Sequence, residues 1–142
     1  MSAPAACPIV TRSYFSYACV LAESYARHHP RVRVYVLVVD GLPPGADAGV
    51  VVVESGSLEL TYVQDLAVRY GPTELATAVK PTFLAHVLER KERVVYLDPD
   101  VVVRQPFDEL RRVLRLADIV LTPHTLAPFP LRGSEPETEL VP

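Results

Sequence analysis

The residues best suited to chemistry are Tyr96-Leu97-Asp98-Pro99-Asp100, which close a valine-rich run beginning at Val94. Two carboxylates at i and i+2 on extended backbone lie on the same side of the chain. Pro99 fixes its own φ and biases Asp98 toward extended geometry. Such a pair offers hard oxygen ligands to one divalent cation, whose other positions are commonly filled by water and substrate phosphates. The same residues equally suit a turn, with Asp98 ending the strand and Asp100 closing the loop beside proline.

Lys80-Pro81 is a second candidate. Pro81 suits the first position of a helix running to Glu89. Lys80 would then stand beside the free N–H groups of a helix N-terminus, a setting that favours an anion such as phosphate. Taken alone, the segment reads as readily as a lysine lying along a proline-interrupted surface helix. A third candidate is the polar turn Thr11-Arg12-Ser13-Tyr14, directly after the first predicted strand. It lacks the glycines of a GxGxxG loop, and no Walker A pattern occurs.

Other chemistry-bearing residues give less. Cys7 and Cys19 belong to no CxxC motif or Cys/His cluster and are expected as two packed free thiols. His28-His29 reads as a polar helix end, and His124 as a lone histidine after a strand. Asp40 reads as a strand end that touches a ligand or caps the turn into Gly41. Arg111, Arg112 and Arg115 read as a solvated face. No Ser/His/Asp or Cys/His arrangement is legible, so no catalytic nucleophile is identified.

Positioning these groups requires strands and helices in alternation. Short β-branched runs predict strands at residues 7–11, 34–39, 50–53, 94–97, 101–103 and 119–121. Tyr14, Ala18, Leu21, Ala22 and Tyr25 make one helical stripe that must stop before Pro30. Leu75, Ala76, Val79, Phe83, Leu84, Val87 and Leu88 make a second stripe. Pro106, Asp108 and Glu109 followed by Arg111, Arg112 and Arg115 predict a short helix with its charges arranged as the macrodipole favours. This alternation implies an α/β fold with a mostly parallel sheet flanked by helices. In such sheets the ligand crevice lies outside the carboxyl ends of the strands. Two of the candidates, the turn at residues 11–14 and the Asp98–Asp100 pair, directly follow such ends.

Composition narrows the class. The chain has 142 residues, 49% hydrophobic and 22% charged, with net charge −3. That is enough for a real core and too apolar for intrinsic disorder. A pI near 5.8 without a basic cluster argues against nucleic-acid binding. The apolar runs are too short for a membrane span. The N-terminus shows no basic segment followed by an apolar one, so no signal peptide is evident and a cytoplasmic location is expected. Residues 1–124 read as one unit, and residues 125–142 as an irregular tail rich in proline and glutamate.

Taken in order, four segments resemble the N-terminal half of GT-A-type glycosyltransferases, most closely family 8-like sugar transferases of bacteria. They are Thr11-Arg12-Ser13-Tyr14 through Leu21-Ala22-Glu23-Ser24, Glu74-Leu75-Ala76-Thr77-Ala78-Val79-Lys80-Pro81, Val94-Val95-Tyr96-Leu97-Asp98-Pro99-Asp100-Val101, and Asp118-Ile119-Val120-Leu121-Thr122-Pro123-His124. The resemblance spans residues 7–124 and implies a Rossmann-like GT-A nucleotide-binding half, incomplete relative to the family's full domain. It implies that Asp98 and Asp100 form a DxD motif holding Mn²⁺ or Mg²⁺ against the diphosphate of a nucleotide sugar. Lys80 matches a donor-contacting lysine. Thr11, Arg12, Ser13 and Tyr14 match the turn that recognises the nucleotide, with UDP favoured.

The implied activity is metal-dependent transfer of a sugar to an acceptor that the sequence does not identify. The family's second half, with its acceptor site and a later metal-ligand histidine, has no counterpart here, and His124 matches a different segment. The alternative expectation is therefore a truncated, non-catalytic nucleotide-binding remnant. An incomplete domain edge would also favour self-association. A haloacid-dehalogenase-type phosphotransferase also uses Asp-x-Asp after a strand. There the motif sits on the first strand and runs into Gly-Thr, whereas here it lies mid-chain before Val101-Val102-Val103.

Overall fold

Two short strands, β1 (Ala5–Ala6) and β2 (Ile9–Val10), lie end to end and are separated by Cys7 and Pro8. They belong to a computed structural model that describes residues 3–42, 45, 46, 49–58, 66 and 68–123. Pro8 has no N–H to donate, which interrupts the ladder at that point. The strand line nonetheless has a parallel neighbour on each side. β1 pairs with β5 (Val94–Val95), and β2 pairs with β3 (Tyr35–Val38). β3 in turn pairs in parallel with β4 (Val51–Glu54). The result is a mixed α/β structure of two small parallel sheets, ordered β1-β5 and β2-β3-β4, flanked by helices.

Alternating residues of the strands feed two cores. Ala5, Cys7, Ile9, Leu37 and Val53 pack against Leu75, Val79, Phe83 and Val87 of α2 (Pro72–Leu88). Ala6, Val10, Val34, Val36 and Val38 pack against Phe15, Ala18, Leu21, Ala22 and Tyr25 of α1 (Phe15–His28). Strands apolar at every position are what a sheet covered on both faces requires. α1 ends where expected, as His29 N–H caps Tyr25 O and Pro30 follows. The buried Tyr25 hydroxyl donates to Pro4 O, which fastens the chain's start to this helix.

Three expectations change. α2 runs unbroken through Pro81, so Lys80 lies inside a helix and not at its N-terminus. The row Leu75, Val79, Phe83, Val87 is buried on both sides of the proline, and its burial outweighs the roughly 3 kcal/mol that an interior proline costs. Residues 101–103 form no strand, because the buried Val103 directs its N–H to a serine of α1. Residues 119–121 form none either. Ile119 and Leu121 are 78% and 83% exposed, and β-branched composition without a neighbouring ladder does not make a strand.

The chain divides into two compact units, Met1–Asp108 and Glu109–Pro142. α3 (Asp108–Val113) is the short helix expected after Pro106, with Arg111 and Arg112 in its last turn. His124 and the expected tail at 125–142 lie outside the described residues. No helix among the described residues is long and apolar enough to cross a membrane.

Two measurements check this packing. Phe83→Ala removes a fully buried ring and should lower stability by about 3–5 kcal/mol in urea unfolding. Val20→Ala, at a half-exposed position, should stay within about 0.5 kcal/mol of the parent; equal losses would contradict the packing. Cys7 is buried, and burial pushes its thiol pKa up to about 12. The unfolded thiol ionises near 9, so this difference withdraws stability as pH rises from 9 toward 12 and has no effect below that window. In mass-spectrometric alkylation of the native chain, the partly exposed Cys19 should react before Cys7.

Candidate functional site

The carboxyl ends of β2 and β5 lead into the two segments singled out from the sequence. The two neighbours of the β1–β2 line are reached by crossovers to opposite sides of it. β3 follows through α1 on one side, and β5 follows through α2 on the other. This reversal is the place where parallel α/β sheets open a crevice for ligands.

Beyond β5, Tyr96 faces the α2 side and Leu97 the α1 side, continuing the alternation. Asp98 and Asp100 are exposed, and the backbone turns between them, with Val101 N–H donating to Asp98 O at 3.3 Å. The pair therefore stands on a turn rather than on extended strand. Tyr96 ties it to α2. Lys80 Nζ lies 3.7 Å from the centroid of the Tyr96 ring. Burial pushes the Tyr96 hydroxyl pKa above its ordinary value; the charge of Asp98, a side-chain hydrogen bond to Asp98 and the charge of Asp100 act in the same direction. The Lys80 ammonium thus lies on the face of a ring that stands two residues before Asp98.

Asp98 and Asp100 are hard, solvent-facing oxygen donors two residues apart, a donor type that suits a magnesium- or manganese-like ion. Among the described residues no three His, Cys, Asp or Glu side chains gather anywhere. An ion at Asp98 and Asp100 would therefore need phosphate or water oxygens to complete its shell, the usual arrangement for a phosphate-bound cation.

Beyond β2, residues 12–14 form one 3-10 turn. Asp40, at the end of the β3 segment, accepts the Arg12 peptide N–H at 2.5 Å. Arg12 Nε donates to Gly41 O at 3.3 Å. Gly41 has φ +94°, a conformation that favours glycine, while a Cβ there would meet only the movable tip of the exposed Arg12 side chain at 2.9 Å. Thr11 and Ser13 hydroxyls share a hydrogen bond of 2.9 Å. The Tyr14 and Tyr17 rings stack with centroids 5.1 Å apart, each about half exposed. Among the described residues no hydrogen bond or ring contact joins this turn to Lys80, Asp98 or Asp100.

Residues after Asp100 are fastened to α1 by two groups that sequence reasoning left without a role. Ser24 Oγ donates to Leu21 O at 2.8 Å and accepts Val103 N–H at 3.1 Å. His29 is buried, accepts Phe107 N–H at Nε2 (3.3 Å) and packs between the rings of Tyr25 and Phe107. His29 is thus a structural anchor rather than a polar helix end. Its partner is remote in sequence, so no local pattern marks it. Ser24, a small polar residue beside the buried stripe of α1, was the readable hint.

A groove of about 200 Å³ lies elsewhere, lined by β4 with Tyr35, Ser57, His86, Val87 and Arg90. Among the described residues its lining has no carboxylate and shares no residue with Lys80, Tyr96, Asp98 or Asp100.

No family model and no curated protein matches the chain. Among solved structures, one similar to it is galactosyltransferase LgtC in complex with donor and acceptor sugar analogs. The identity is 18% and the TM-score 0.43, over 74% of this chain and 41% of that one. The chain thus spans about two-fifths of the length of that structure.

Ser24→Ala should leave the Val103 N–H buried without an acceptor, at a cost of about 1–3 kcal/mol. Amide exchange at Val103 should accelerate while the α2 amides keep their protection. Unchanged exchange at Val103 would remove Ser24 from this role.

Proposed function

We propose that the chain is the donor-binding part of a metal-dependent glycosyltransferase, related to the family 8-like enzymes, that takes a nucleotide sugar, with UDP favoured. The observation that carries this reading is Lys80 of α2 lying over the Tyr96 ring, two residues before Asp98 and outside the carboxyl end of a parallel strand. A diphosphate placed there meets a cation from α2 and two carboxylates on the adjacent turn. Carboxylates repel phosphate unless a divalent cation lies between, so the pair makes sense in a phosphate site as Mn²⁺ or Mg²⁺ ligands. When bound, that ion supplies Lewis-acid stabilisation of charge on the departing diphosphate. Lys80 adds a point charge to the same phosphates.

The turn after β2 supplies the nucleotide end of the site. The hydroxyls of Thr11 and Ser13 and the guanidinium of Arg12 offer hydrogen bonds to ribose or base. Tyr14, stacked on Tyr17, offers an aromatic face, and base–aromatic stacking contributes about 1–3 kcal/mol per base. The Asp40–Arg12 bond holds this turn against β3 in readiness. The acceptor and the transfer step would draw on residues beyond those described.

Calorimetry with UDP tests the reading. Mn²⁺ should strengthen UDP binding to the parent chain, and Asp98→Asn with Asp100→Asn should abolish that gain. Lys80→Ala should weaken UDP binding about tenfold with or without Mn²⁺, the loss of one charge-assisted hydrogen bond. UDP binding that ignores both Mn²⁺ and the double substitution would overturn the metal assignment.

A further inference from the structure

We infer that Ser24 of α1 is a positioning residue for the Asp98–Asp100 turn, on which it acts through the buried backbone N–H of Val103. The inference rests on the donor-site reading above and gives that site a residue on another element. The Ser24 hydroxyl has one proton, which it donates to Leu21 O at 2.8 Å within the same helix. Back-bonding of this kind satisfies a helical serine by itself and needs nothing from outside. Ser24 nevertheless makes a second bond. Its oxygen, with the proton committed, is an acceptor only, and it takes the Val103 N–H at 3.1 Å. Both residues are buried, so neither group has water as a substitute.

The two aspartates stand between fixed points. On one side Val95 O accepts the Cys7 N–H at 2.9 Å, and Tyr96 and Leu97 pack toward the two cores. On the other side the first hold is Val103. Between them Asp98, Asp100, Val101 and Val102 are exposed, and the Val101 N–H bonds to Asp98 O within the turn. Past Val103, residues 104–106 are exposed again, and the next backbone hold among the described residues is the Phe107 N–H on His29 Nε2 at 3.3 Å.

Without the Ser24 acceptor, Val103 must leave its seat for its N–H to find water. The free stretch then grows from residues 98–102 to residues 98–106. Closing a stretch of doubled length costs about threefold, and ordering one more backbone residue costs about tenfold. A cation that needs both carboxylates in place should therefore bind about three- to tenfold more weakly. The coupling is reciprocal: a ligand that orders the turn must strengthen the Val103 anchor by the same factor. A serine that serves stability alone has no such response to ligand.

Amide exchange and calorimetry together test this. In the parent chain, UDP with Mn²⁺ should slow exchange at Val103 about three- to tenfold, and UDP alone should leave it unchanged. Ser24→Ala should lose about three- to tenfold in Mn²⁺-dependent UDP affinity and keep the parent's metal-free UDP affinity. Ser24→Thr, which retains a hydroxyl able to bond back to the preceding turn, should restore the Mn²⁺ dependence.

Val103 exchange that ignores UDP with Mn²⁺, in a parent chain that binds them, overturns the inference even if Ser24→Ala does not fold. Parent-like Mn²⁺ dependence in a folded Ser24→Ala chain does the same. Equal losses of metal-bound and metal-free affinity also overturn it, because they mark a role in stability alone. A parent chain whose UDP binding is absent or indifferent to Mn²⁺ overturns the donor-site reading and this inference with it, and leaves Ser24 as an anchor of Val103 only.

Discussion

Everything in the first unit depends on the strand line from Ala5 to Val10 having a parallel neighbour on each side. Cys7 N–H donates to Val95 O and Leu37 N–H to Pro8 O, so one short segment serves both edges. Its side chains alternate between the α2 core and the α1 core, with Ala5, Cys7 and Ile9 on one face and Ala6 and Val10 on the other. Small residues at Ala5, Ala6 and Cys7 let both helices approach. The two-sided pairing also creates the crevice, because the chain crosses through α1 to one side of the line and through α2 to the other, and the parallel strands leave their carboxyl ends side by side.

The site inherits its order from the cores rather than from its own residues. Asp98 and Asp100 are exposed and sit on a turn, the kind of segment that is ordinarily mobile. They are bracketed on one side by Tyr96, which packs toward α2, and on the other by Val103 and Phe107, held to α1 through Ser24 and His29. A loop fastened to both layers has little freedom left between its anchors. The same holds for residues 12–14, held between β2 and the Asp40–Gly41 corner.

Much of this was legible in the sequence, for a physical reason. Strands expected at 34–39, 50–53 and 94–97, observed at Tyr35–Val38, Val51–Glu54 and Val94–Val95, and the stripe of α1 report burial, and burial is a local property of composition and period. The Asp98–Asp100 pair was legible because carboxylates beside proline at a strand end are conspicuous. What was not legible depends on partners distant in sequence. Pro81 suggested a helix start, but Leu75, Val79, Phe83 and Val87 are buried in one continuous row, and a local signal cannot weigh that row against one missing N–H. Residues 101–103 look like a strand because valine favours pleated sheet, yet Val103 N–H meets Ser24 of α1. His29 looked polar because nothing near it reveals Phe107. Tyr96 was noticed only as part of the motif, since its role comes from Lys80 on another element.

The pairing of Ala5 with Val94 has a consequence for how the molecule comes into being. During synthesis β2, β3 and β4 emerge early and can zip together with α1 while α2 is still being made. β1 must then wait, its outer edge open, until almost the whole unit has left the ribosome. Closing so long a loop is slow compared with local steps, and an unpaired strand edge is an invitation to other chains. The same contact that creates the crevice is therefore the last to form, and the nascent chain is most vulnerable to misassembly just before its site exists.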